Sequence, residues 1–268
     1  MQTATNPTDG VSLVWQDQGN PDGDPLLLVH GSALSKAVWR GMGYVKALGE
    51  RYRLISMDLR GHGRSEKPHQ QSAYTMDRVL LDVQAVLDAA GITAAHYFGY
   101  SFGARIGFSL GAAVPDRMLS FISAAGTYRI AAGSIAELFF ADYDAALAKH
   151  GMQGFLDGWQ ERIGHQVDPV TRMAFLANDA EALRAYFAQT EEAEGISETQ
   201  LRQFQIPTLL LAGSLDARRL ADSRRAAEVM PDAELLELPD RDHGDTLFPP
   251  APVLAAVEPF LARHSHPD

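Results

Sequence analysis

The sequence predicts an α/β fold: a doubly wound, mostly parallel sheet flanked by helices, with an inserted helical cap. Three observations support this prediction. Short, nearly continuous apolar segments recur along the chain. Between them lie segments whose apolar residues follow helical spacing. One long segment near the middle shows helical spacing only, which indicates an insertion between two strands.

The strand predictions rest on apolar segments that are typical of buried parallel strands, because both faces of each are hydrophobic. They span residues 25–31, 52–58, 94–100, 118–125, 207–213 and 233–239. Residues 11–15 alternate more between apolar and polar side chains, so we expect an early edge strand there.

Four predicted helices alternate with these strands, over residues 76–91, 102–115, 221–231 and 252–264. Apolar residues at helical spacing define the first, and Gly91 ends it. The second is rich in glycine and alanine, which predicts close packing against the sheet. We expect residues 1–126 and 205–268 to form the core, and residues 127–204 to form a helical cap over one end of the sheet.

Composition excludes several classes of function. The net charge is −11, and no segment is rich in lysine and arginine, so neither nucleic acid nor a membrane surface is an expected partner. The 268 residues include no cysteine, which excludes disulfides, thiolate metal sites and a cysteine nucleophile. The first ten residues do not resemble a signal peptide and no apolar segment is long enough to span a bilayer, so we expect a cytoplasmic protein. The oligomeric state is not predicted.

The segment GYSFG places Ser101 between Gly99 and Gly103, where a predicted strand ends and a predicted helix begins. A serine there occupies a sharp, strained turn, and the glycines let strand and helix pack closely. The helix N-terminus favours negative charge that develops near the serine. Ser101 is therefore the candidate nucleophile.

A serine hydroxyl needs a base to accept its proton and an acid to orient that base. On this topology the three follow in the order Ser, Asp or Glu, His. Asp216 lies just beyond the strand at 207–213, and His243 lies in the loop after the next strand. Asp242, next to the histidine, is expected to point away from the ring.

An oxyanion requires preorganised N–H donors. The amide of Phe102 is one candidate, because it begins the helix after the nucleophile. The amide of Ser32 is the second, since Gly31 allows the loop after an early strand to turn into the site.

Five motifs together resemble the α/β-hydrolase superfamily, from about residue 11 to residue 262: HGS (30–32), DLRGHGRS (58–65), GYSFG (99–103), GSLD (213–216) and DH (242–243). The resemblance implies a Ser101–His243–Asp216 triad, an oxyanion hole formed by Ser32 and Phe102, and a cap that shapes the substrate pocket. It is closest to small cap-bearing esterases, lactonases and cofactor-free perhydrolases. We interpret DLRGHGRS as a structural loop in which Asp58 accepts hydrogen bonds from backbone amides.

The expected reaction is acyl transfer from a carboxylic ester or lactone to water, which needs no metal or organic cofactor. Relatives that open epoxides or displace halide use an aspartate nucleophile, so Ser101 argues against both activities. Five aromatic residues are candidates for substrate binding and predict a small to medium, largely apolar substrate: Trp39, Phe139, Phe140, Tyr143 and Trp159.

Other activities on the same triad stay open. A carbon–carbon bond hydrolase of the meta-cleavage type is one, although GSALSKAVWRGMG lacks the asparagine of those relatives. An amidase or aminopeptidase would use a cap carboxylate such as Glu137 to hold an amine. A perhydrolase, a cyanohydrin lyase and a non-catalytic ligand-binding relative complete the alternatives.

Overall fold

The apolar segments form one sheet in the computed structural model, which describes residues 1–129 and 133–265. Eight strands lie in the order β1-β2-β4-β3-β5-β6-β7-β8 among these residues. They are β1 (Gln2–Thr5), β2 (Ser12–Gly19), β3 (Pro25–Val29), β4 (Arg53–Met57), β5 (Ala95–Tyr100), β6 (Met118–Ala124), β7 (Thr208–Gly213) and β8 (Ala233–Leu238). From β4 to β8 neighbouring strands are parallel, while β1 and β2 pair in antiparallel fashion.

The two ends of the sheet differ from the sequence prediction. We expected residues 11–15 to form an edge strand, but β1 pairs with β2 and takes the edge position. The segment QTAT has one buried side chain, Ala4, so it lacks the apolar pattern that would predict a strand. At the other edge, β8 exposes Glu234 and Glu237, because one of its sides has no neighbouring strand to cover it.

The described helices are α1 (Ala37–Gly41), α2 (Tyr44–Leu48), α3 (Met76–Ala89), α4 (Phe102–Ala113), α5 (Ser134–Leu138), α6 (Tyr143–Ile163), α7 (Pro169–Leu176), α8 (Ala180–Glu192), α9 (Glu198–Arg202), α10 (Ala217–Val229) and α11 (Ala251–His264). The four helices predicted from periodicity are α3, α4, α10 and α11. Helix α10 begins four residues earlier than predicted, because the Asp216 side chain caps it by accepting a hydrogen bond from the Arg219 amide. No helix in the described ranges combines the length and apolar composition needed to cross a bilayer.

Helices cover both faces of the sheet, as the fold class predicts. On one face, Val83 of α3 and Ile106 of α4 pack into a core with Leu27 and Val29 of β3. On the other, Tyr44 of α2 and Val257 of α11 belong to a second core. Parallel strands buried by helices on both faces bring the carboxyl ends of β5, β7 and β8 to the same edge.

Five helices, α5 to α9, lie between β6 and β7, and no strand occurs among the described residues of that segment. The segment has an aromatic interior that includes Phe139, Phe155 and Phe187. Tyr186 of α8 contacts the rest of the molecule, since its ring lies 4.9 Å from the ring of Phe102. We propose that residues 127–204 act as the cap of the site described next.

Candidate active site

Ser101 stands on a strained turn between β5 and α4. Its backbone has φ 53° and ψ −113°, a conformation that non-glycine residues rarely adopt. A Cβ atom on Gly99 would lie 2.5 Å from the Ala104 nitrogen, and one on Gly103 would lie 2.2 Å from the Val29 carbonyl oxygen. Larger residues at these positions would force strand and helix apart, which is the reason that the sequence pattern predicts such a turn.

The structure brings the three candidate catalytic side chains into one hydrogen-bonded chain. The Ser101 Oγ lies 2.8 Å from Nε2 of His243. The Nδ1 atom of the same ring lies 2.7 Å from Oδ2 of Asp216. Ser101 follows β5, Asp216 follows β7 and His243 follows β8, so the common edge of the parallel strands brings them together.

Each carboxylate oxygen of Asp216 has a separate contact. Oδ2 accepts the hydrogen bond from His243, whereas Oδ1 accepts the Arg219 amide at 3.4 Å and caps α10. Burial raises the pKa of Asp216, but the hydrogen bond and charge of His243, together with Arg219, lower it more, so the net pKa is below the ordinary value. The carboxylate therefore stays ionised at neutral pH and holds the imidazole in place.

Two residues that the sequence analysis did not assign to the site hold the histidine loop. The hydroxyl of Tyr100 donates to the carbonyl of His243 at 2.7 Å. The buried guanidinium of Arg241 donates to the carbonyls of Thr246 and Pro249, both at 2.8 Å. Tyr100 lies within GYSFG, but that motif does not indicate its contact with His243, and Arg241 belongs to no quoted motif, so only the structure reveals these contacts.

Asp242 points away from the imidazole, as the sequence predicts. Its Oδ1 accepts hydrogen bonds from the amides of Gly244 at 2.8 Å and Asp245 at 3.1 Å. The carboxylate thus closes the turn that follows the histidine. This leaves Asp216 as the carboxylate that contacts the ring.

The residues of the two candidate oxyanion donors, Ser32 and Phe102, line the same cavity as Ser101. A Cβ on Gly31 would lie 3.0 Å from the Ser101 Cβ, so glycine permits the close approach of this loop. The described part of the chain offers no acceptor for either amide, and the first amides of a helix have no partner within it. Both N–H groups, unpaired among the described residues, are thus the candidate donors to an oxyanion.

The DLRGHGRS segment is structural, as interpreted from the sequence. Asp58 accepts hydrogen bonds from the amides of Lys36 at 2.8 Å and Arg64 at 3.0 Å, and it pairs with the Lys36 ammonium. The imidazole Nε2 of His30 accepts the Leu59 amide at 3.1 Å. Burial lowers the pKa of His30, which keeps the ring neutral. These contacts anchor the loop that carries Ser32.

None of the five aromatic residues expected in the substrate pocket lines the cavity beside Ser101. Trp39 is fully buried on the opposite face of the sheet, with its ring 4.8 Å from Phe98. The other four pack inside the helical insertion: Phe139, Phe140, Tyr143 and Trp159. Aromatic residues at helical spacing there fill the interior of a small helical unit, which the pattern alone does not distinguish from a pocket wall.

The cavity is instead lined by residues of mixed character. They are Ser32, Ser101, Phe102, Arg105, Ala125, Thr127, Arg129, Ser134, Ile135, Leu138, Thr190, Arg218 and Arg219. Four of these residues are arginines. The expectation of a largely apolar substrate depended on the aromatic residues, and the lining that replaces them is partly cationic.

The fold and the site together define an α/β protein with a serine on the turn after a central strand. The alpha/beta hydrolase fold model matches residues 24–244, and the chain therefore belongs to that family. Over 261 residues it is 30% identical to the dihydrolipoyllysine-residue acetyltransferase component of the acetoin cleaving system of Pseudomonas putida, covering 95% of this chain and 68% of that protein. The family and the fold class predicted from the sequence are thus confirmed.

Solved structures share the fold. The enol-lactonase from Burkholderia xenovorans LB400 superposes with a TM-score of 0.81 at 23% identity, covering 95% of this chain and 98% of that one. A carboxylesterase structure from Nitrososphaera gargenis has a TM-score of 0.86 at 22% identity and covers 98% of each chain. These likenesses extend over nearly the whole chain, helical insertion included.

Proposed function

We propose that the protein is a serine hydrolase that cleaves carboxylic esters or lactones through an acyl-enzyme intermediate. The observation that carries this proposal is the continuous hydrogen-bonded chain from Ser101 through His243 to Asp216. The names of the lactonase and carboxylesterase neighbours agree with it. Because those likenesses are below 25% identity, the proposal depends on the site.

In the acylation step, His243 Nε2 accepts the Ser101 proton as Oγ attacks the carbonyl carbon. Asp216 stabilises the imidazolium that forms. The tetrahedral intermediate collapses, and the leaving alcohol takes the proton from His243. The acyl group is then bound to Ser101 as an ester.

In the deacylation step, water attacks the acyl-enzyme while His243 accepts one of its protons. Collapse of the second intermediate releases the carboxylic acid and returns the proton to the Ser101 oxygen. The amides of Ser32 and Phe102 bind the oxyanion in both steps, and each such donor typically contributes a factor on the order of 10² to 10³ in kcat. No step requires a metal or an organic cofactor.

The surroundings of Ser101 also limit the chemistry. Opening an epoxide or displacing halide through a covalent alkyl intermediate requires a carboxylate nucleophile, because water cannot release an alkyl group from a serine ether. The insertion between β6 and β7 contributes Ser134, Ile135, Leu138 and Thr190 to the cavity. Acting as a cap, it would restrict water and select the acyl group. A cytoplasmic location stays a prediction.

The test is fluorophosphonate labelling, followed by a chain-length series of p-nitrophenyl esters, with wild type and Ser101→Ala compared side by side. We expect wild-type labelling and ester turnover, both lost in the variant. A folded wild type that neither reacts with the probe nor hydrolyses any ester would refute the proposal. Labelling without ester turnover would redirect the search to carbon–carbon bonds, amides or peracid formation.

A further inference from the structure

Among the residues that the structure describes, one arginine of the cavity has no counter-charge. Arg105 of α4 is only 3% exposed and lines the cavity that contains Ser101. Within the described residues, its Nε and Nη1 have no hydrogen-bond partner, and Nη2 reaches the carbonyl of Glu194 at 3.4 Å. Burying a guanidinium in this way is strongly unfavourable unless an anion completes the site.

Arg105 lies one helical turn from the nucleophile. Its amide donates to the carbonyl of Ser101, the residue that precedes α4, at 3.1 Å. The guanidinium carbon lies 5.6 Å from the centroid of the Phe102 ring. Arg105 and Ser101 thus line the same cavity.

The other three arginines of the cavity already have carboxylate partners. Arg129 pairs with Asp222 at 2.7 Å, and Arg218 pairs with Glu137. Arg219 has its Nη1 4.0 Å from the Asp216 carboxylate. No acidic side chain of the described residues lines the cavity itself. Among the described residues, Arg105 is therefore the cavity arginine that no carboxylate neutralises.

Arg105 keeps its charge in this environment. Burial lowers its pKa to about 10, an effect that the nearby Tyr186 opposes. The side chain is therefore a cation at neutral pH. A planar guanidinium with unused N–H donors matches the geometry of a carboxylate better than that of any neutral group.

We propose that Arg105 binds a carboxylate of the substrate, so that the preferred esters or lactones carry a free carboxylate a short linker away from the scissile carbonyl. This inference rests on the proposed hydrolase function and narrows its substrate class. It replaces the expectation of a largely apolar substrate. Arg105 acts in binding, and Ser101 remains the group that attacks.

Two esters of matched shape test the charge preference: methyl hydrogen succinate, and methyl 4-methylpentanoate, in which an isopropyl group replaces the carboxylate. Release of methanol gives kcat/KM for each. We expect wild type to favour the charged ester by about tenfold to a hundredfold, the range for a hydrogen bond to a charged group. In Arg105→Met the preference should disappear, and in Arg105→Lys part of it should remain.

Arg117→Met is the matched control. Arg117 is a partly buried arginine that pairs with Asp88 and does not line the cavity. This variant should keep the wild-type ratio of the two esters. Equal kcat/KM values in wild type, or an undiminished ratio in Arg105→Met, would overturn the inference while leaving the hydrolase proposal intact.

Binding measured without turnover separates the two proposals. Titration calorimetry of Ser101→Ala with methyl hydrogen succinate should detect binding that is lost in the Ser101→Ala/Arg105→Met double variant. Equal affinity in both variants would contradict the role of Arg105, whether or not wild type hydrolyses any ester.

Urea unfolding provides the last readout: Arg105→Met should unfold at or above the wild-type midpoint, since it removes an unpaired buried charge. A large decrease in the urea midpoint would mean that the guanidinium stabilises the fold, and it would overturn the proposal.

Discussion

The hydroxyl of Tyr186 lies 2.6 Å from the Oγ of Ser32. This contact joins α8 of the helical insertion to the loop whose amide is the candidate oxyanion donor. Tyr186 is 2% exposed, and its ring also packs edge-on against His62 at 5.0 Å. The insertion thus contributes to the position of the donor as well as to the wall of the cavity.

We therefore expect Tyr186→Phe to reduce kcat by about threefold to tenfold, the decrease that corresponds to the loss of one hydrogen bond, with little change in KM. On the proposed mechanism, a displaced Ser32 loop weakens binding of the oxyanion more than binding of the ester. Steady-state kinetics on a p-nitrophenyl ester give the two constants.

Tyr74→Phe is the control for that experiment. The hydroxyl of Tyr74 donates to the Pro68 carbonyl at 2.6 Å, so its removal costs one hydrogen bond without touching the Ser32 loop. A rise in KM at constant kcat in Tyr186→Phe would argue against a positioning role.

Gly103→Ala is expected to destabilise the protein by about 1–3 kcal/mol or more, the usual range for overpacking. The added methyl group would lie 2.2 Å from the Val29 carbonyl oxygen and could be accommodated only by moving α4 away from β3. Urea unfolding at equilibrium measures the change in the free energy of unfolding, and ester turnover should fall with it.

Gly41→Ala is the matched substitution. Gly41 is the last residue of α1, and an added Cβ would meet nothing within 4 Å. Because alanine favours helix over glycine, we expect this variant to be as stable as wild type or more stable by up to about 1 kcal/mol. Equal losses in the two variants would show that the close packing at Gly103 is not the cause.

The buried pair of Arg60 and Asp82 predicts a large effect when only one partner is removed. Nε and Nη2 of Arg60 donate to the two oxygens of Asp82 at 2.6 and 2.7 Å, and Nη1 donates to Asp9 at 2.8 Å. Arg60→Met should cost about 3–5 kcal/mol in the free energy of unfolding, since Asp82 is fully buried and would lose its counter-ion.

Arg53→Met provides the comparison, because Arg53 pairs with Asp17 where both side chains are about a quarter exposed, at 26% and 27%. That change should cost less than about 1 kcal/mol. Chemical denaturation of both variants gives the values, and a loss at Arg60 no larger than that at Arg53 would contradict the assignment of a buried ion pair.

Buried imidazoles predict how stability depends on pH. Burial lowers the pKa of His62 to about 3. The folded protein therefore keeps this ring neutral, whereas in the unfolded chain it binds a proton below its ordinary pKa of about 6.5. The contribution of His62 to the free energy of unfolding is fully present above about pH 6.5. It decreases as the pH falls from there to about 3, by up to about 1.4 kcal/mol per pH unit.

His62→Gln tests this relation. The glutamine side chain does not titrate. The slope of the free energy of unfolding against pH, between about pH 6 and 4.5, should therefore decrease by the amount that corresponds to the uptake of about one proton on unfolding. Urea titrations at a series of pH values measure the slope for each protein. Identical slopes would mean that His62 is not protonated on unfolding.

Local patterns were sufficient for much of the fold. The buried strands, the four long core helices and the helical insertion each leave a periodic signal among near neighbours in the chain. The strained turn at Ser101 is similarly local, because Gly99 and Gly103 are required by atoms of the adjoining strand and helix. The strand β1 was missed, since its pairing with β2 depends on backbone hydrogen bonds that QTAT does not signal.

The tertiary structure was needed for the pocket. Whether a cavity arginine is neutralised depends on partners far along the chain, such as Asp222 for Arg129, so no sequence pattern distinguishes Arg105 from the others. The aromatic residues of the insertion gave the same periodic signal whether they faced a ligand or each other. Sequence therefore identifies which elements and candidate reactive groups are present, while long-range packing decides which charges remain unpaired in the cavity that Ser101 lines.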